Sequence, residues 1–131
     1  RGARNVSIRN CKFQTGDDAI AGGYWNRMVI SGCDINSSCN GIRMIQPSQH
    51  LTVKDCRFHG PGDFPHRTSG KTSSDSAISL EPGGWGPAPG RLDDIVLKNG
   101  HVELRFGGSE KNFFFRYFYF DGVNNCQVPV V

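Results

Sequence analysis

Ile8-Arg-Asn-Cys11-Lys-Phe13, Ile30-Ser-Gly-Cys33-Asp-Ile35 and Val53-Lys-Asp-Cys56-Arg-Phe58 are three copies of one short pattern, and Leu97-Lys-Asn-Gly100-His-Val102 is a fourth. The cysteines of the first three lie 22 and 23 residues apart. Cys56 to Gly100 is 44 residues, about twice the period, and this interval carries two Gly/Pro/Ser-rich insertions rather than a lost repeat. A repeat of this length, built from β-branched and aromatic residues, predicts an all-β solenoid in which each coil buries its apolar side only against its neighbours.

A second ladder runs through the same coils. Asp18-Ala19-Ile20-Ala21 aligns with Asn40-Gly41-Ile42-Arg43 and then with Ser76-Ala77-Ile78-Ser79. Ile20, Ile42 and Ile78 are predicted to stack inward. Because side chains alternate along a strand, Ala19, Gly41 and Ala77 are expected to face out, as are Ala21, Arg43 and Ser79. The result would be an outer floor of small residues with one long cation in it, entered by the Asp17-Asp18 pair.

The chain has 131 residues and is 37% hydrophobic, enough for one domain with a core. It starts in mid-pattern at Arg1 and ends at Val131 without a cap. The expectation is therefore a single β-helix domain fragment over residues 1–131, about five coils long, with its terminal coils and caps missing. A net charge of +3, scattered along the chain, gives no reason to expect nucleic acid. No run approaches the roughly 18 apolar residues of a membrane helix. The reading is of a secreted or periplasmic monomer.

Cys11, Cys33 and Cys56 recur at one place per coil, so they are predicted to stack inward as free thiols. Cys39 and Cys126 follow no zinc spacing, and neither metal nor cofactor is expected. Asn10, Asp55, Asn99 and Asn125 suit a recurring bend, since Asn and Asp tolerate left-handed backbone. The first insertion, Gly60 to Thr72, carries His66, Arg67 and Lys71; the second, Glu81 to Gly90, carries Glu81 and Trp85. Both flank the floor strand Ser76 to Leu80, so they are expected to wall a groove, with Phe64 and the prolines pinning the first. The aromatic run Asn112 to Asp121 reads as a buried strand, followed by a fifth coil at Val123-Asn-Asn-Cys126-Gln-Val128.

Gly16-Asp17-Asp18-Ala19-Ile20-Ala21, following Val6-Ser-Ile8-Arg-Asn10-Cys11, resembles the Gly-Asp-Asp-x-Ile-Ala motif of the polygalacturonases, glycoside hydrolase family 28. Asn40-Gly41-Ile42-Arg43-Met44 resembles that family's Asn-Gly-Ile-Arg-Ile-Lys segment. The resemblance implies a right-handed parallel β-helix that cleaves a polysaccharide with inversion. It makes Asp17 the general acid and Asp18 the residue that helps activate water. Asn40 and Arg43 on the floor, and His66, Arg67, Lys71 and Trp85 on the insertions, are the expected substrate contacts. Inversion needs two carboxyl groups about 6.5–9.5 Å apart. The family's further aspartate would fall one coil before Arg1, so activity is expected of the full-length parent rather than of this fragment. Its His-Gly segment is Asn40-Gly41 here, and the coil that should carry its Arg-x-Lys reads Ile78-Ser79-Leu80. The glycan is thus as readily neutral as acidic. A polysaccharide lyase on the same fold, using Ca²⁺, and a non-catalytic glycan-binding β-helix are the alternative classes.

Overall fold

A computed structural model describes the backbone of residues 2–81, 90–100, 104–106 and 113–123, and the side chains of residues 2–80. Its strands are β1 (Arg4–Arg9), β2 (Lys12–Thr15), β3 (Ile20–Gly22), β4 (Asn26–Ser31), β5 (Asp34–Ser37), β6 (Asn40–Ile45), β7 (Ser48–Lys54), β8 (Arg57–His59), β9 (Ser76–Glu81), β10 (Gly90–Gly100), β11 (Leu104–Phe106) and β12 (Phe113–Val123). They form three sheets: a first of order β1-β4-β7-β10-β12, a second of order β2-β5-β8, and a third of order β11-β9-β6-β3. Every pairing is parallel. Successive strands of the chain belong to different sheets, so the backbone winds as a parallel β-helix.

The register follows the sequence repeats. Ile8 pairs with Ile30, Ile30 with Val53, and Val53 with Leu97. The fourth coil therefore stacks directly on the third, across both insertions. Phe13, Ile35 and Phe58 make a rung in the second sheet, and Ile20, Ile42 and Ile78 one in the third. Ile30, Ile35, Ile42, Met44, Leu51, Val53, Ile78 and Leu80 are fully buried. Each such side chain stabilises by about 1.5–3 kcal/mol relative to an exposed one.

The bend before each cysteine recurs as expected, with Asn10 at φ 54°, Gly32 at 62° and Asp55 at 53°. These residue types take the left-handed conformation at low cost. Cys11, Cys33 and Cys56 each place Sγ against the carbonyl two residues earlier, at 3.3, 3.4 and 3.4 Å. All three are free thiols; Cys33 and Cys56 are buried, while Cys11 in the first described coil is exposed, contrary to a fully inward stack.

Two further expectations are corrected. Ala19 and Ala77 do not face out but pack against the core, and Gly41 is buried. The reason is Phe58: a Cβ added at Gly41 would lie 2.5 Å from its ring and 2.6 Å from the Ala77 carbonyl oxygen. This rung is small so that the second sheet's ring can fill the corner. Ser79 is also buried. The fifth coil is registered differently as well, with Gly100 opposite Val123 and Leu97 opposite Phe120. That register sets the backbone of Asp93 opposite Arg116 and of Lys98 opposite Asp121. Val102, Asn125, Cys126, the Glu81 side chain and most of the second insertion, including Trp85, lie outside the described residues.

Gly41→Ala should destabilise the fold by about 1–3 kcal/mol through overpacking against backbone and ring. Ile42→Ala should cost about 2–5 kcal/mol through a cavity. Denaturant unfolding of both variants checks the order; a neutral Gly41→Ala would contradict the inward orientation of this rung.

Candidate functional site

Asp17 and Asp18 occupy the bend between β2 and β3, and two coils fix that bend. Thr15 Oγ1 donates to the Asp17 carbonyl at 2.7 Å, and Ser37 Oγ from the next coil donates to it at 2.8 Å. Asp17 Oδ1 accepts the Asp18 backbone N–H at 2.9 Å. The two carboxylates then diverge in surroundings.

Asp18 is one end of a polar ladder. Its Oδ1 accepts the Asn40 backbone N–H at 3.1 Å and Asn40 Nδ2 at 2.8 Å, and Asn40 Oδ1 accepts Ser76 Oγ at 2.6 Å. Its Oδ2 lies 3.5 Å from Arg43 Nη1, and the Asp18 side chain is only 10% exposed. Asn40 is buried with both ends of its amide bonded, so it serves the ladder rather than presenting itself to a substrate. Buried polar groups are stable only when paired in this way.

Asp17 is 41% exposed and is met by the first insertion. That segment folds back over the earlier coils. Asn36 Nδ2 donates to the Pro61 carbonyl at 2.8 Å, and Asn36 Oδ1 accepts the Asp63 N–H at 2.8 Å. Gln14 Nε2 donates to Asp63 Oδ2 at 2.8 Å, and Ser38 Oγ donates to the Phe64 carbonyl at 2.5 Å. A Cβ at Gly16 would collide with the Pro65 carbonyl, so the missing side chain lets the two backbones touch. The insertion is held by these backbone bonds; the Phe64 ring, expected to pin it, is 54% exposed. Gly62 N–H to Thr72 O at 2.7 Å and His66 N–H to Lys71 O at 2.8 Å close the loop on itself.

The loop delivers His66 and Arg67 to Asp17. Arg67 Nε is 3.0 Å from Asp17 Oδ2, and His66 Nε2 is 3.8 Å from Asp17 Oδ1. His66 Nδ1 accepts the N–H groups of Thr68 and Ser69, both at 3.3 Å, and lies 3.0 Å from Thr68 Oγ1. An acceptor role at Nδ1 assigns the ring proton to Nε2, which then points a donor at Asp17. Lys71 is turned away from the pair, its Nζ bound to the Asp75 carboxylate.

Cys39 lies beneath. It stands one coil after Asp17 and one before Asp75, and its Sγ is 3.6 Å from Asp75 Oδ2. Burial, then the hydrogen bond and charge of Asp18, push its thiol up to about 12. Asp17, Cys39 and His66 bring one O, one S and one N atom within 4.8 Å of one another, a donor set of zinc-like composition. The hydrogen bonding opposes such a role: the His66 Nε2 lone pair is replaced by a proton, Arg67 holds Asp17, and the thiol is neutral. Sequence reasoning passed over Cys39, Asp75, Asn36 and Ser38. The signal was present for two of them, since Cys39 and Asp75 are the coil equivalents of Asp17.

The second sheet carries a further ion pair, between β5 and β8. His59 Nε2 lies 2.7 Å from Asp34 Oδ1, and Arg57 Nη1 3.5 Å from Asp34 Oδ2. The hydrogen bond to His59 chiefly, with the charges of His59, Arg57 and Lys12, holds the Asp34 carboxyl below its ordinary 3.8 against a smaller desolvation effect.

The three-sheeted parallel winding is that of a β-helix. A family model described as a right-handed β-helix region matches residues 1–84, and the chain belongs to that family. No curated protein and no solved structure matches it. Among the described residues no helix is long and apolar enough to cross a membrane.

Two outcomes follow. Alkylation of the native protein at neutral pH, mapped by mass spectrometry, should modify Cys11 well before Cys39 or Cys56, whose thiols stand at about 12 and about 11; equal labelling of Cys39 would contradict its burial. Because the folded Asp34 is more acidic than the unfolded one, its stabilisation is complete above pH 3.8 and is lost as pH falls through its folded value. The melting-temperature gap between the parent and Asp34→Asn should therefore be constant near neutrality and close below about pH 3.8; a gap that widens in acid would contradict the pairing.

Proposed function

We propose that this β-helix acts on a polysaccharide as a glycoside hydrolase of the polygalacturonase type, with Asp17 as the carboxyl that transfers a proton at the glycosidic oxygen. The observation carrying this reading is the difference between the paired aspartates. Asp17 is the half-exposed one, and Arg67 and His66 of the first insertion meet it. Asp18 is committed to Asn40 and Arg43. Its role is to fix the bend and hold Arg43 on the outer face of β6, where the guanidinium can orient a sugar.

In this reading Arg67, 80% exposed, is exchangeable: a saccharide entering the groove takes its guanidinium as a hydrogen-bond donor and leaves Asp17 facing the scissile oxygen. Arg suits this exchange because its planar fork binds both carboxylate and sugar oxygens. His66, with its proton fixed on Nε2, keeps the Asp17 carboxyl oriented during the exchange. Arg67 and Arg43 favour but do not require an acidic glycan.

A non-catalytic glycan-binding role is the second reading. It is favoured by one observation, that each carboxylate already faces an arginine, Asp17 with Arg67 and Asp18 with Arg43.

The test is turnover by the protein on pectic and neutral plant or algal glycans, following new reducing ends and unsaturated products together. Asp17→Asn should fold and lose about two to four orders of magnitude in rate. Arg67→Ala should raise KM more than it lowers kcat. Full activity in Asp17→Asn would remove the assignment. Glycan binding without turnover would establish the second reading, and Ca²⁺-dependent unsaturated product would identify a lyase instead.

A further inference from the structure

At the opposite end of the third sheet from Asp17, the chain turns a corner into the first sheet. The corner of the first coil is Tyr24-Trp25, and that of the second is Gln46-Pro47-Ser48. Together with Arg4, Asn26 and Gln49 they line a cleft of about 340 Å³, within the roughly 300–1,000 Å³ of small-ligand sites. Arg4, Asn26 and Gln49 are neighbours in register across β1, β4 and β7, so the floor is a polar ladder with one rung per coil. Trp25 is buried behind it, its backbone N–H bound to Ser48 Oγ at 3.0 Å, and the Tyr24 ring stands at the rim, 37% exposed.

Tyr24 has φ 54° and Gln46, one period later, φ 111°, and the neighbouring coil positions Asn5, Arg27 and His50 are left-handed as well. The observation that points to a ligand is Asn26 Oδ1, a covered acceptor with no hydrogen-bond partner. Buried acceptors are seldom left so, and the broad terminal torsion of Asn lets the amide turn into the cleft.

We propose that this corner is a second saccharide-binding site, distinct from the Asp17 groove. The Tyr24 ring covers the apolar face of one sugar, and Asn26, Gln49 and Arg4 bond its hydroxyls. An aromatic plate beside a ladder of amide and guanidinium groups matches a polyhydroxylated ligand, apolar on one face and polar around its edge. The site does not require Asp17 to be catalytic.

The experiment titrates the protein with two probes, a neutral galactotetraose and a tetragalacturonate, following the Trp25 indole N–H resonance. At least one should shift it saturably. Tyr24→Gly removes the ring and relieves the positive φ, so it should melt at the same or a higher temperature while binding falls at least about tenfold. Tyr24→Phe should retain binding, and so should Asp17→Asn. No saturable shift with either probe overturns the proposal. Undiminished binding in Tyr24→Gly does the same, as does loss of the Trp25 signal in Asp17→Asn, which would place the sugar in the other groove.

Discussion

Each coil of this chain must bury its apolar edge against the next, and the rung of Ile20, Ile42 and Ile78 meets that constraint most fully. Ile42 sits between its neighbours with no exposure. Once that rung is registered, the positions beside it are no longer independent. Asp18, Asn40 and Ser76 come into line and satisfy one another's hydrogen bonds, and Asp17, Cys39 and Asp75 line up one residue earlier. The site is thus a consequence of coil stacking, not a separate local motif.

The two adjacent aspartates show how the solenoid separates like residues. A one-residue step along the chain moves from the polar ladder, where a carboxylate is enclosed, to the rim, where a carboxylate is half open. The insertion adds asymmetry. Its backbone bonds to Asn36 and Ser38, and its close contact with Gly16, bring two basic residues to Asp17 from the third coil.

The coils were legible because a solenoid writes the same side chain at the same offset: the cysteine pattern registered all three pairings from Ile8 to Leu97, and the isoleucines did so even across 36 residues. The failures have physical causes. Strict alternation turned Ala19 and Gly41 outward, whereas the ring of Phe58, from another sheet, decides that corner; no pattern within one strand contains that information. The fifth coil was misregistered because Val123 and Cys126 imitate the repeat, whereas β12 pairs with β10 three residues earlier, Phe120 opposite Leu97. The path of the first insertion rests on backbone carbonyls of Pro61, Phe64 and Pro65, which every residue possesses and no sequence advertises. In the candidate site, Asp17, Arg67 and His66 were readable as chemistry, but the burial of Asn40 and the diversion of Lys71 to Asp75 were not.

The central claim is a division of labour between neighbouring aspartates, Asp18 for the fold and Asp17 for the groove. The most direct measurement compares the unfolding free energies of Asp18→Ala and Asp17→Ala in denaturant. Asp18→Ala leaves the buried Asn40 donors unpaired, an expected loss of about 1–3 kcal/mol. Asp17→Ala removes a half-exposed ion pair, an expected loss of about 1 kcal/mol or less. A larger loss for Asp17→Ala would contradict the account.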